Sequence, residues 1–324
     1  MPGASQQPHP AACAPLKGVI LMKSNRKTIV LLPIVGILAL FAVIGWVIHI
    51  AREKIMQASV DSFEEQEVDG SDTEVDKILL DTGDGQMWIP VLADVPACTR
   101  VPEQHVLRNG EVFYLENNQI TSKIGIDVSA YQGNIDWQTV REAGVEFAFI
   151  RCGYRGYESG ELVVDANYYT NMQGALDAGI QVGVYFYSQA ITPEEAVEEA
   201  ELALSMIEGY DVTYPIVYDW EVVSESTART NGISVEDLTA CNIAFCERIK
   251  QAGYTPMIYQ NKQTSLLRLD LPALKEYDFW LAEYNEEAMA SYYYDYRIWQ
   301  YCSDGTLPGI TGTVDMDICF EPYA

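Results

Sequence analysis

Positive charge is scarce in this chain. Only 20 of the 324 residues are Lys or Arg, against 47 Asp and Glu, and the formal net charge is −27. Because binding to nucleic-acid phosphates needs a clustered basic surface, this balance excludes nucleic acid as a partner. The chain has 48% apolar and 11% aromatic residues instead, which is enough for a large buried core. The composition predicts an acidic globular protein.

Histidine is almost absent, with three residues scattered along the chain. No two of them stand at the spacing of metal ligands, so we expect no metal and no cofactor. No histidine is available to activate a nucleophilic cysteine either. A disulfide between Cys302 and Cys319 is conceivable in an oxidising location, although buried free thiols are the favoured interpretation.

One long apolar run stands near the N-terminus. From Ile29 to Ile48 no residue is charged, and twenty helical residues span the roughly 30 Å of a bilayer core. Basic residues are more numerous before the run than after it, which places residues 1–28 in the cytoplasm and the rest outside the cell. A cleaved signal peptide fits less well, because its apolar region is shorter and needs a small-residue cleavage site. We therefore predict a single-pass membrane protein that is anchored in the lipid bilayer through residues 29–50.

Between the anchor and the main domain the sequence predicts two short regions. Residues 51–87 are dominated by acidic side chains, which repel one another and favour an extended stalk. Residues 88–122 form a small pre-domain, in which Glu111–Leu115 and the following Asn117-Asn118 indicate a hairpin.

Residues 123–324 alternate between buried strands and amphipathic helices. Thr192-Pro193-Glu194-Glu195 and Ser234 are typical helix starts. The alternation predicts an α/β fold, an irregular TIM-like barrel of about eight strands with fewer helices. The predicted strands are Ile124–Val128, Phe147–Arg151, Val182–Ser188, Pro215–Trp220, Thr255–Gln260, Phe279–Tyr284, Arg297–Tyr301 and Thr313–Ile318.

Acidic residues recur at the predicted strand ends, where such a barrel carries its chemistry. Asp219 and Glu221 are two apart, so both side chains leave an extended strand on the same face. Two carboxyl groups held close together cannot ionise independently, and one pKa should rise. Cleavage of a glycosidic bond needs this combination of a proton donor and a negative charge.

Five motifs follow one another in order along the barrel sequence. They are Gly125-Ile-Asp-Val-Ser-Ala-Tyr-Gln-Gly-Asn-Ile-Asp-Trp137, Phe149-Ile-Arg-Cys-Gly-Tyr-Arg-Gly156, Val182-Gly-Val-Tyr-Phe-Tyr-Ser188, Tyr214-Pro-Ile-Val-Tyr-Asp-Trp-Glu221 and Ile298-Trp-Gln-Tyr301 through Gly309-Ile-Thr-Gly-Thr-Val-Asp315. Together they resemble glycoside hydrolase family 25, the lysozymes that cut peptidoglycan as N-acetylmuramidases. The resemblance covers roughly residues 123–322 and implies a distorted eight-stranded barrel.

The resemblance implies roles for four acids. Glu221 takes the place of the general acid, which protonates the oxygen between N-acetylmuramic acid and N-acetylglucosamine. Asp219 would support the anomeric centre or the substrate's acetamido group, and Asp127 and Asp315 complete the ring of acids. Trp220, where the family more often has an aliphatic residue, should point to the other face of the strand.

Six further residues are candidate contacts with the glycan strands of peptidoglycan. Aromatic rings can stack on sugar faces, although aromatic residues more often belong to the core, and Tyr185 and Trp299 are the preferred stacking candidates. Arg151 could bind a substrate carboxylate or order the site by pairing with an acid, and Glu283 could contact substrate or form an ion pair. The candidates are Tyr131, Arg151, Tyr185, Tyr187, Glu283 and Trp299.

Three functions are compatible with these observations. The first is an active muramidase held outside the cell, and the presence of all four acids favours it. The second is a wall-binding barrel without catalysis. The third is another hexosaminidase such as a chitinase, which would lack the Asp127-Val-Ser-Ala-Tyr-Gln-Gly opening.

Overall fold

Two small antiparallel sheets open the structure, a computed structural model that describes residues 76–285, 287 and 289–323. In the first sheet β1 (Lys77–Asp81) pairs with β2 (Gln86–Pro90). The second sheet contains β3 (His105–Arg108), β4 (Glu111–Glu116) and β5 (Gln119–Ile120).

Two-residue turns connect the three strands of the second sheet. Asn117 and Asn118 both have positive φ, 51° and 63°, and the same is true of Asn109 and Gly110, 55° and 86°. This geometry suits the twist of a tight hairpin and needs residues that tolerate the left-handed region. The predicted hairpin is thereby confirmed, and the Asn109-Gly110 hairpin adds a strand that was not predicted.

The predicted transmembrane helix at 29–50 and the stalk up to residue 75 lie outside the described residues. No helix within the described part of the chain is long and apolar enough to cross a bilayer. Strand β1 does lie inside the segment 51–87, so the expected extended stalk is wrong for residues 77–87. The acidic side chains of that stretch sit on a hairpin, in which Leu80 and Ile89 turn to a buried face.

Eight of the nine strands of the large sheet close into a barrel, which confirms the predicted fold. The strands occur in the circular order β6, β7, β9, β10, β11, β12, β13 and β14, and β8 pairs with β7 at one edge. Their bounds are β6 Lys123–Val128, β7 Phe147–Arg155, β8 Leu162–Val164, β9 Gln181–Ser188, β10 Ile216–Trp220, β11 Pro256–Asn261, β12 Asp278–Ala282, β13 Ile298–Gly305 and β14 Val314–Cys319.

Strand direction is uniform except at the point of closure. The seven barrel strands β6, β7, β9, β10, β11, β12 and β13 run parallel to one another. Strand β14 is antiparallel to both of its neighbours, β13 and β6. Only residues 306–313 connect β13 to β14, and a parallel connection needs a crossover of a dozen residues or more. The chain therefore returns as a hairpin, and the beginning of β14 lies at the same end of the barrel as the ends of the other strands.

Helices surround only part of the barrel. They are α1 Trp137–Glu142, α2 Tyr168–Asp177, α3 Pro193–Ile207, α4 Val235–Gln251, α5 Lys262–Arg268 and α6 Leu271–Leu274. The predicted helix starts are confirmed, since Thr192 Oγ1 accepts from the backbone N–H of Glu195 and Ser234 Oγ from that of Asp237. In the described residues no helix follows β12, β13 or β14, so the outer ring is incomplete there.

An apolar plug fills the lower part of the barrel. The rings of Phe149 and Trp280 stack with centroids 4.5 Å apart, and Phe147 lies edge-on to Phe149. A Cβ atom on Gly125 would come within 2.2 Å of the Phe147 ring, so glycine is required there for the plug to pack. The plug fills the interior of the barrel at the end where the parallel strands begin.

The six cysteines of the described residues are all free. Strand register separates the suggested pair, because Cys302 lies opposite Met316 while Cys319 lies opposite Ile298. The disulfide between Cys302 and Cys319 is therefore not formed, and the interpretation as free thiols holds.

Candidate active site

Acidic side chains from three strands meet at the mouth of the barrel, which is the end where the parallel strands finish and β14 begins. Asp127 lies on β6, Asp219 on β10 with Glu221 directly after it, and Asp315 and Asp317 on β14. Asp127 and Asp315 are direct neighbours across the β6–β14 pair. Because β14 runs antiparallel, its first residues reach the mouth, and this direction brings Asp315 to the other acids.

The pair Asp219 and Glu221 faces inward as predicted, and Trp220 between them faces outward. Trp220 is buried on the outside of the barrel, where the Arg268 guanidinium lies 5.8 Å from the ring centroid. Burial raises the pKa of Asp219 well above its usual value, and the neighbouring charge of Glu221 and a hydrogen bond between the two carboxyl groups raise it further. Burial also raises the pKa of Glu221. The pair therefore retains a proton to higher pH than two isolated carboxyl groups would.

The acids on the opposite side of the mouth are also shifted. Burial and the charges of Asp315 and Asp317 raise the pKa of Asp127. Burial and the charge of Glu221 raise the pKa of Asp315 to about 6. Asp317 is fully buried, and Trp280 Nε1 donates to its Oδ1 at 2.9 Å.

Gln300 organises this side of the mouth, although sequence reasoning placed it only at a strand end. Its Nε2 donates to Asp127 Oδ2 at 2.6 Å. Its Oε1 accepts from the hydroxyl groups of Tyr259 at 2.9 Å and Tyr284 at 2.5 Å. These bonds fix which end of the amide faces the acid. The Trp299-Gln300-Tyr301 motif was the available signal, but it directed attention to the tryptophan.

Two glutamine side chains hold the backbone that carries the acid pair. Gln189 Nε2, directly after β9, donates to the carbonyl of Glu221 at 3.0 Å, and its Oε1 accepts from Thr230 Oγ1 at 2.9 Å. On the other side Gln260 Nε2 on β11 donates to the carbonyl of Trp220. Both glutamines are fully buried. The end of β10 is therefore held from both neighbouring strands.

Arg151 pairs with an acid that the sequence did not single out. Its Nε and Nη2 contact Asp165 Oδ2 at 2.8 and 2.7 Å, which supports the ordering role. Asp165 also accepts from the backbone N–H of Ala130. The guanidinium lies 5.1 Å from the ring centroid of Tyr131, a residue that is 85% exposed. The exposed ring of Tyr131 thus lies against a guanidinium group that Asp165 holds in place.

The remaining predicted contacts divide into two groups. Tyr185 and Tyr187 on β9 face the acids, whose charges act on both phenol groups. Trp299 is fully buried on the outer face of β13, where its Nε1 donates to the carbonyl of Glu283. Its expected stacking on a sugar is therefore wrong, because neighbouring positions on a strand face opposite sides and Gln300 takes the inward one.

Glu283 is held away from the acid group. It accepts from the backbone N–H of Ser291 at 2.7 Å and pairs with Lys262 Nζ at 3.2 Å. These contacts satisfy both carboxylate oxygens and fix the loop after β12, so Glu283 has the ion-paired role that the sequence left open. Among the described residues no group of three or more His, Cys, Asp or Glu side chains is arranged to hold a metal ion.

A pair of neighbouring carboxyl groups, here the buried Asp219 and the half-buried Glu221, is an arrangement found in glycoside hydrolases. The model of glycosyl hydrolases family 25 matches residues 126–310. Because this match covers more than half of the chain, the protein belongs to that family. The resemblance that the five motifs indicated is confirmed.

Curated relatives and solved structures agree with this membership. The autolytic lysozyme of Clostridium acetobutylicum is 28% identical over 194 residues, which are 60% of this chain and 54% of the relative. Lysozyme M1 of Streptomyces globisporus is 29% identical over 202 residues, 59% of this chain and 65% of the relative. The chain therefore spans between half and two thirds of the length of these relatives.

Two solved structures share the fold. The modular autolysin LytC from Streptococcus pneumoniae has a TM-score of 0.55 at 24% identity, covering 75% of this chain and 57% of that one. A family 25 glycosyl hydrolase from Bacillus anthracis has a TM-score of 0.53 at 23% identity, covering 65% of this chain and 93% of that one.

Proposed function

We propose that this protein is a peptidoglycan hydrolase, a lysozyme that cleaves the β-1,4 bond between N-acetylmuramic acid and N-acetylglucosamine. The observation that carries the proposal is the pair Asp219 and Glu221, two neighbouring carboxyl groups at the mouth of the barrel whose pKa values are both raised by burial. The lysozymes among the relatives support the substrate class, and LytC has been solved with a synthetic peptidoglycan ligand.

In the proposed reaction Glu221 donates its proton to the glycosidic oxygen as the bond breaks. Burial raises the pKa of Glu221 and so extends the pH range in which the proton is retained, which favours a general acid. Asp219 supports the positive charge that develops at the anomeric centre, or the acetamido group that assists there. Asp127 and Asp315 hold sugar hydroxyl groups and tune the pair through their charges.

The geometry of the mouth fits a sugar chain that lies across the acids. Tyr131 offers an exposed ring, and Tyr187 faces the same space. Rings of this kind stack on the C–H faces of sugars while the acids accept from the hydroxyl groups.

The proposal is tested by incubating the protein with purified peptidoglycan and identifying the reducing-end sugar of the products. N-acetylmuramic acid at the new ends is the expected result. N-acetylglucosamine ends would identify a different hexosaminidase, and binding without products would identify a wall-binding barrel.

We also propose that the barrel is held outside a bacterial cell by residues 29–50. The support is the uncharged run from Ile29 to Ile48 and the excess of basic residues before it. A protease added to intact spheroplasts should degrade the barrel and leave a protected N-terminal fragment. Release of the intact protein by a carbonate wash, or a mature N-terminus beyond residue 50, would contradict the anchor.

A further inference from the structure

A groove of about 480 Å³ opens beside the mouth of the barrel and is separate from the acids. Leu107 and Val112 of the N-terminal three-stranded sheet form one wall, and Tyr301 and Asp304 of β13 form the other. Tyr284, which follows β12, closes the end. Its volume falls within the range of small-molecule sites.

Tyr284 links the lining of the groove to the candidate active site through hydrogen bonds. The Tyr284 hydroxyl donates to Gln300 Oε1 at 2.5 Å, and Gln300 Nε2 donates to Asp127 at 2.6 Å. One side of this tyrosine therefore faces the acids and another lines the groove. Tyr284 is 52% exposed, so its ring is open to a ligand.

The order of the strands places the groove on the far side of the acids from Tyr131. Tyr131 follows β6 and its ring lies against Arg151 of β7, whereas Tyr284 follows β12. At least two strands separate β6 and β7 from β12 in either direction around the barrel. A polymer that crosses the mouth from Tyr131 over the acids therefore leaves at Tyr284 and enters the groove.

The lining matches a sugar and not an anion. Leu107 is 51% exposed and together with Tyr284 offers apolar surface for C–H faces, while Asn285 and Asp304 offer oxygen acceptors for hydroxyl groups. The carboxylate of Asp304 disfavours a negatively charged occupant. An apolar face edged by acceptors is suited to the uncharged N-acetylglucosamine units of a glycan strand.

We propose that this groove is an additional saccharide subsite, which binds sugars of the substrate strand beyond those at the acids. The proposal rests on the proposed hydrolase function and names a further part of the same substrate. Leu107 and Val112 lie before residue 126, where the family match begins. The subsite is thus built partly by residues outside the stretch that the family model matches.

The test measures steady-state cleavage by the full chain on glycan strands of two lengths, about four and about ten sugars. Leu107→Ala should raise KM for the long strand roughly three- to ten-fold, because a partly buried aliphatic contact is lost. Leu107→Trp should lower it by adding stacking surface. Neither change should alter kcat or the values for the short strand. Ile120→Ala is the matched control, since Ile120 is equally exposed in the same sheet but does not line the groove.

Two outcomes would overturn the subsite. One is a long-strand KM that Leu107→Ala and Leu107→Trp leave equal to that of Ile120→Ala. The other is an equal change for long and short strands, which would mean that the residue acts on the whole site. If the unaltered protein cleaves neither strand, the hydrolase proposal fails, and direct binding of the long strand to the Leu107 variants still decides the groove.

Discussion

At the scale of single residues, burial determines the chemistry of the mouth. Asp127 and Asp219 are buried, and neighbouring negative charges raise their pKa values further. Arg151 is the cation that lowers the pKa of Asp219, yet it is already engaged by Asp165. Carboxyl groups crowded in this way retain protons to higher pH than isolated ones, and a glycosidase needs one such proton.

Replacing the proposed acid should abolish turnover without abolishing binding. We expect Glu221→Gln to lower kcat about 10²- to 10⁴-fold, because the carboxamide cannot donate the proton. The measurement is release of reducing ends from peptidoglycan, with strand binding and the melting temperature as controls. Turnover close to that of the unaltered protein would show that another residue supplies the proton.

Removing a neighbouring charge should move the pH profile. Asp315 and Glu221 interact, since the charge of Glu221 contributes to raising the pKa of Asp315 to about 6. The effect is mutual, so a negative Asp315 raises the pKa of Glu221. In Asp315→Asn the proton of Glu221 should be lost at a lower pH, and the alkaline limb of kcat against pH should shift downward. An upward or absent shift would separate Asp315 from the acid electrostatically.

At the scale of elements, β10 owes its position to its neighbours on both sides. Gln189 holds the carbonyl of Glu221 and is fixed in turn by Thr230. Arg229 adds a bond from its Nη1 to the carbonyl of Gln189 and pairs with Glu195 at the start of α3. The position of Glu221 thus depends, through Gln189 and Arg229, on contacts with the start of α3.

Gln189 should therefore act as a positioning residue. Gln189→Met keeps the volume but leaves the carbonyl of Glu221 without its buried donor, which typically costs about 1–3 kcal/mol of unfolding free energy. We expect a lower kcat, an unchanged KM and a displaced alkaline limb of the pH profile. The control is Gln173→Met on the exposed face of α2. A loss of stability with the same kcat and pH profile would make the role structural only.

A buried ion pair joins β7 to α3. Arg155 Nε donates to Glu199 Oε1 at 2.7 Å, and both side chains are buried. Arg155→Met should lower the unfolding free energy by about 3–5 kcal/mol, because Glu199 is left buried without its partner. Chemical denaturation measures this, and the double change with Glu199→Gln should recover much of the loss. A single variant as stable as the unaltered protein would contradict the pairing.

The same pair predicts a pH dependence of stability. Burial raises the pKa of Glu199 from 4.5 to about 7. The folded state then holds a proton that the unfolded state releases, so this group's contribution falls as the pH rises from 4.5 to about 7. In Glu199→Gln this part of the slope should disappear.

The strands and helices were largely predictable because the pattern of hydrophobic residues along the chain reflects which side chains are buried. Each of the eight barrel strands was located, since continuous apolar runs mark strands covered on both faces. The direction of β14 was not predicted, because the side-chain period of two is the same in both directions. The error at Trp299 has a related origin: a shift by one position changes the face, and the sequence alone did not decide between Trp299 and Gln300.

The four acids were predictable for a different reason. Asp219 and Glu221 share a strand face by their spacing, and the family motifs located Asp127 and Asp315. The roles of Gln189 and Gln300 were not predicted. A glutamine that bonds to a carbonyl or carboxylate far away in the sequence produces no repeating pattern along the chain. Only the closed barrel brings such partners together.

At the scale of the whole molecule, the net charge affects how readily the protein approaches its proposed substrate. The net charge of −27 opposes the approach of wall polymers that carry anionic groups. Raising the salt concentration from about 0.01 to about 0.15 M shortens the screening length from about 30 to about 8 Å. KM for anionic wall preparations should therefore fall over this range, while KM for a neutral oligosaccharide stays constant. A salt effect of equal size on both substrates would point to the protein's stability instead.

The hairpin that closes the barrel leaves one flank without helices in the described residues, and the N-terminal sheet occupies it. Tyr114 and His105 of that sheet pack their rings against Phe320, which follows β14. A fragment trimmed to the stretch shared with relatives would leave these aromatic rings facing water. The smallest part of this protein that folds on its own is thus longer than the stretch that the family model matches. Truncation at residue 123 should yield a product that aggregates.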